Sequence, residues 1–128
     1  MFWIALAVLI MTLTGEGDDT YAFRKVLERG REAVEENVVD PQRQKTAIEA
    51  IDRATSAFSK HRRRVGAISE CVERADRNYG ATQAEYERCL ADLGPAWDAA
   101  GEDLIRLESV FRSALSPEEL AAVRRAAE

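Results

Sequence analysis

Residues 71–89 read CVERADRNYGATQAEYERC, and the fold turns on this stretch. Asn78, Tyr79 and Gly80 make a helix stop, because glycine enters the left-handed conformation suited to the position after a helix end without a Cβ clash. Thr82 and Glu85 follow with the spacing of a capping box, in which a hydroxyl and a carboxylate each satisfy an amide left free at a new helix start. One helix ends and another begins within a few residues, so the chain must fold back here. Cys71 and Cys89 each stand nine residues from Gly80, which puts them at the same height in an antiparallel hairpin. Their faces agree too. With Val65, Ile68 and Val72 at heptad positions a, d and a, Cys71 falls at g; with Tyr86, Leu90 and Leu93 at d, a and d, Cys89 also falls at g. Like flanking positions oppose each other in an antiparallel pair, which predicts a Cys71–Cys89 disulfide. Such a bond removes roughly 3 kcal/mol of unfolded-state entropy and implies an oxidising compartment. The alternative is two reduced thiols serving as small, half-buried hydrophobes. Zinc is not expected, since His61 lies roughly three turns before Cys71 on the same helix and further ligands are lacking.

Upstream of the turn, an unbroken helix is predicted from Pro41 to about Asn78, with Asp40 as N-cap and proline in the first turn, where its missing amide costs nothing. Its apolar stripe is Ile48, Ile51, Phe58, Val65, Ile68, Val72 and Tyr79, and it drifts around the helix as 3.6 residues per turn requires. A preceding helix runs from Asp19 or Thr20 to Asp40, with Phe23, Val26, Leu27, Gly30, Val34 and Val38 recurring every three or four residues. Downstream, Tyr86, Leu90, Leu93, Trp97, Leu104, Leu107 and Phe111 carry a third helix to Leu115. Trp97 is assigned to its core face, with the lining of a groove opened by a break at Gly94-Pro95 as the alternative. Pro95 cannot donate to the carbonyl of Ala91, so a kink or two abutting helices is expected at Gly94-Pro95. Ser116, Pro117 and Glu119 then start a short last helix through Leu120 and Val123.

The expected fold is therefore all-α: an antiparallel three-helix bundle, or a long helical hairpin plus a packed N-terminal helix, with a short fourth C-terminal helix, preceded by a hydrophobic N-terminal segment. The long second helix spans roughly 57 Å, so the first helix cannot cover it and should pack on the half remote from Gly80. Charged residues make up 32% of the 128 and aromatics 7%, which suits long solvent-washed helices better than a turn-rich β-sandwich. Residues 1–15 are read as a signal peptide or short membrane anchor and residues 16–128 as one helical domain.

From Phe2 the chain is apolar as far as Leu13 except for Thr12, a length of roughly 18 to 20 Å as helix, against the ~30 Å of a hydrocarbon core. That is the size of a signal-peptide h-region, although no Lys or Arg precedes it and no Ala-x-Ala site follows. A short uncleaved anchor and a buried core helix are the other readings. Trp3 suits a membrane interface. Arg24, Lys25, Arg29 and Arg31 would hold the domain in the cytoplasm by the positive-inside rule, whereas the expected disulfide favours export.

The 18 basic and 23 acidic side chains give a net charge of -5 and are mixed along the chain, so no nucleic-acid face is advertised. One basic cluster stands out: Lys60, His61, Arg62, Arg63 and Arg64. It is a candidate patch for a phosphate, an anionic lipid headgroup or an acidic partner, or else a solvated helix face paired with nearby acids. His61 is the only histidine and falls at the edge of the core stripe between Phe58 and Val65, which points to a structural place. No serine sits in a nucleophile elbow, no glycine loop offers itself to phosphates, and the paired acids Glu35-Glu36 and Glu118-Glu119 fall on helix faces and caps. No catalytic, metal or cofactor site is expected.

Leu115-Ser116-Pro117-Glu118-Glu119 resembles the Leu-Thr-Pro-Glu segment of small periplasmic helical stress chaperones and metal-resistance sensors, over five residues that capping chemistry also explains. An N-terminal apolar stretch followed by long helices with paired cysteines is similar in layout to the inner-membrane spanin subunits of phage lysis systems, with no shared motif residues. The functional expectation is a non-enzymatic, exported or membrane-anchored helical protein that binds another protein, with self-association as a variant. The alternatives are an envelope stress or metal-responsive chaperone and a cytoplasm-facing membrane adaptor.

Overall fold

The computed structural model describes residues 19–127; residues 2–13 lie outside them. Five helices follow one another: α1 Asp19–Asn37, α2 Pro41–Arg77, α3 Gln83–Leu90, α4 Leu93–Ala114 and α5 Pro117–Ala127. The described residues contain no strand, and the all-α expectation holds.

α1 stops three residues short of Asp40. Val38 still donates its amide to Val34 at 3.0 Å, and its side chain is 1% exposed while neighbouring Val39 is 93% exposed, so the turn is pinned by one valine inserted into the core. The Gln44 side-chain amide donates to the carbonyls of Glu35 and Val38 at 3.2 and 3.3 Å, satisfying acceptors that a helix end leaves open. The Asp40 carboxylate then accepts the Arg43 amide at 2.8 Å and Pro41 occupies the first turn, as the sequence requires.

α2 ends at Arg77 and the fold-back follows at once. Thr82 and Glu85 form the capping box reciprocally: Glu85 accepts the Thr82 amide at 2.7 Å, and Thr82 accepts the Glu85 amide at 3.4 Å. Two expectations at this turn need correction. Gly80 is not in the left-handed region; Asn78, extended at φ -97°, accepts the Gly80 amide on its side-chain oxygen at 3.1 Å and makes the reversal itself. Tyr79, placed on the apolar stripe by periodicity, is fully exposed, because the helix ends before its face is reached.

The third predicted helix is two abutting helices, and the break falls at Ala91 and Asp92 rather than at the proline. Pro95 is the third residue of α4, inside the first turn where a missing amide is tolerated. The α5 start is a second reciprocal box, with Ser116 accepting the Glu119 amide at 3.1 Å and Glu119 accepting the Ser116 amide at 3.3 Å. The Leu115–Glu119 resemblance is thus accounted for by capping. Arg43 also meets Glu119 at 3.0 Å, tying α5 to α2.

The molecule has a thick end and a thin one. At the base, α1 packs on α2 and α5, and α2 on α4, around Val34, Val38, Ala47, Ile51, Phe111, Leu115 and Val123. Above it, Phe23 stacks on Phe58 with ring centroids 4.1 Å apart, closed by Ala100. α1 has 19 residues and α2 has 37, about 28 and 55 Å at helical rise. Among the described residues, the upper part of α2 is packed by α3 and the first half of α4, and this part is an arm. Gly80→Ala checks the turn: with no left-handed backbone and the nearest atom to a new Cβ at 3.5 Å, the substitution should change stability by less than about 0.5 kcal/mol in denaturant unfolding. A loss of more than about 1 kcal/mol would put the glycine back in the strained conformation.

Candidate functional site

Below its tip the arm is held by three cross-ties at successive heights. The uppermost is the Cys71–Cys89 disulfide, with Cα atoms 5.5 Å apart and Cys89 buried at its root. Beneath it Arg64 grips Asp92 with two donors, Nε to Oδ2 at 2.7 Å and a second bond from the terminal nitrogen to Oδ1. The lowest is His61, whose Nε2 is 2.8 Å from Oδ2 of Asp103.

Arg64 and Asp92 sharpen each other's ionisation. Their hydrogen bond holds the Asp92 carboxyl below its ordinary range and raises the Arg64 guanidinium. The pair also accounts for the bare N-cap of the helix that follows. Asp92 stands at the N-cap of α4 yet makes no side-chain capping bond, because Arg64 has taken its carboxylate across the hairpin. At the tip, the Tyr86 hydroxyl donates to Asp76 at 2.8 Å, and that bond raises the Tyr86 pKa.

His61 is 5% exposed and belongs to the core rather than to the basic patch in which the sequence grouped it. Its Nδ1 has no partner among the described residues. A cavity of about 20 Å³ beside it is walled by Phe23, Phe58, Ala100, Leu104 and Leu107, so this ring is a cross-tie in an apolar setting, hydrogen-bonded to Asp103. The hydrogen bond from His61 is the main cause that holds Asp103 below the ordinary carboxylate range, with Arg106 and Lys60 adding to it against the opposing effect of burial.

The expected basic cluster is accordingly divided. Lys60, Arg62 and Arg63 are exposed, His61 turns inward, and Arg64 is taken up by Asp92. The two cysteines, in contrast, come together as the register required. Asp92 and Asp103 are the site residues that motif reading missed. The hairpin register carries their signal, since residues opposite each other across Gly80 sum to about 160 and both pairs fall within about one turn of that.

One face of the arm is apolar without being buried. Leu90, Leu93 and Trp97 are 47%, 41% and 41% exposed; Leu93 and Trp97, four residues apart on α4, share one side, and Leu90 is the last residue of α3 just before them. The assignment of Trp97 to the bundle core is corrected: the adjacent Ala96, 2% exposed, takes that place. A small residue lets α4 approach α2 closely, and the indole is displaced to the flank. No described helix is long and apolar enough to cross a membrane. No family model matches the chain, and no curated protein or solved structure matches it either.

A folded-state pKa below the unfolded one means that Asp103 stabilises the fold above the unfolded carboxylate pKa and loses that contribution as pH falls through the folded one. Thermal unfolding should therefore drop in temperature between about pH 5 and about pH 2, and Asp103→Asn should flatten part of that decline. An unchanged acid slope in the variant would remove the tie from the account.

Proposed function

We propose that this chain is a non-enzymatic helical protein of the cell envelope, exported or membrane-anchored, that works by binding another protein along its arm. The observation that carries the reading is a disulfide-clamped helical hairpin whose flank leaves Leu90, Leu93 and Trp97 nearly half exposed. A cross-link is compatible with an oxidising compartment, where such bonds persist. Clamping matters for binding, because a surface already ordered before encounter does not lose that freedom on association.

The chemistry of the flank points to the occupant. Two leucines and a tryptophan exposed around the α3–α4 junction match an amphipathic helix of a partner laid along the hairpin, with the indole as the aromatic anchor that dominates such contacts. The surrounding surface is heavily charged, and Glu87 and Arg88 beside the stripe are exposed, giving the polar rim that sets register more than affinity.

The reading is tested by site-specific photo-crosslinking of the full chain in its native cells. A crosslinker at position 97 should yield a discrete adduct with a second protein, and Leu90→Ser with Leu93→Ser should abolish it while leaving the unfolding midpoint within about 0.5 kcal/mol of wild type. The same probe on exposed Arg125 of α5 should give none. Equal adducts at both positions, or an adduct indifferent to the leucines, would overturn the proposal.

A further inference from the structure

The exposed edge of the arm continues down α4 past the tryptophan. Leu93, Trp97, Gly101 and Ile105 stand four residues apart, which sets them in one row along the helix. Among the described residues α4 packs mainly on α2. Exposure rises from 41% at Leu93 to 60% at Ile105, because four residues overshoot a full turn by about 40° and carry the row away from that contact. A Cβ built on Gly101 meets nothing within 4 Å, so no contact inside the fold calls for glycine there, and inside a helix glycine is destabilising relative to alanine. Its effect is a notch between the indole and Ile105, where the backbone of a second helix can come close.

Asp98 and Glu102 border the row. They lie three residues before Gly101 and Ile105 respectively, and such positions are neighbours on a helix surface. Both are exposed, and neither has an ion-pair partner among the described residues: Arg106 turns to Asp103 at 3.5 Å and Arg112 to Glu108 at 2.8 Å. Outside residues 19–127 the chain holds Glu16, Asp18 and Glu128 and no lysine, arginine or histidine, so no side-chain cation from there neutralises them. A second copy laid antiparallel would set the same two acids against them. An apolar row with an acidic border is complemented by a helix that carries an apolar face with bases beside it. We propose that the α4 flank from Leu93 to Ile105 receives an amphipathic helix of the partner protein whose lysine or arginine edge lies along Asp98 and Glu102, with the two backbones crossing at Gly101. The basic-edged helix rests on the reading of this flank as a binding edge.

The probe is a short fluorescein-labelled amphipathic peptide, leucine along one face with an alanine at its centre, made with either lysines or glutamates along one edge. Its binding to the oxidised full chain is read by fluorescence anisotropy at low salt. The lysine peptide should bind about tenfold more tightly than the glutamate peptide. Asp98→Lys with Glu102→Lys should invert that preference, whereas Glu32→Lys with Glu36→Lys, the same change of charge at exposed positions of α1, should keep most of it. Gly101→Leu should weaken both peptides by about tenfold at an unchanged unfolding midpoint. Equal affinity for the two peptides, or a preference that both charge reversals remove alike, overturns the basic-edged helix while leaving the flank a binding edge. No binding of either peptide also overturns it, and the crosslink at position 97 in cells then decides the reading beneath it. Dimerisation of the chain that Trp97→Ser abolishes would make a second copy the occupant and would equally overturn the proposal.

Discussion

α2 is about 55 Å long and α1 about half that, and the rest of the structure follows from this mismatch. A single helix exposed along half its length gains too little from intrinsic propensity to persist alone. The lower half is covered in the usual way, by valine, alanine, phenylalanine and leucine from α1, α4 and α5. For the upper half, the described residues supply the chain's own return, the eight-residue α3 and the first half of α4.

Magnitudes show why that half needs covalent help. Ile68 and Cys89 are the buried hydrophobic side chains of the arm above Arg64 other than Ala96, and full burial of one aliphatic residue is worth roughly 2 kcal/mol. The disulfide closes a short loop and contributes about 3 kcal/mol, more than either contact. The Arg64–Asp92 pair is partly open to solvent, with side chains 37% and 47% exposed, and it fixes geometry more than it adds stability. A limb that is rigid but thinly cored can leave leucine and tryptophan on its flank without losing its shape. That is the physical condition for a preorganised binding edge.

Much of this could be read from the residues. The helix starts at Pro41 and Pro117, the capping box at Thr82 and the pairing of Cys71 with Cys89 are set by local chemistry, and local chemistry is what sequence spacing reports. Periodicity failed where packing decides. Trp97 continues a heptad on paper, yet the close approach of α4 to α2 admits only Ala96. Tyr79 follows the stripe but lies past the last helical residue, and Gly80 looked like the reversing residue while Asn78 performs the reversal. The five-residue basic run had no single fate to be read, since neighbouring positions on a helix point about 100° apart. Asp103 claimed His61, Asp92 claimed Arg64, and Lys60, Arg62 and Arg63 stay on the exposed side.

The central claim is that the arm depends on its cross-link and the base does not. Amide hydrogen exchange on the oxidised and the reduced full chain measures this residue by residue. Reduction should strip protection from α3 and from residues 66–77 of α2 while α5 and the amides around Val34 and Ala47 keep theirs. Uniform loss of protection across all helices, or an arm that exchanges no faster once its thiols are free, would contradict the account.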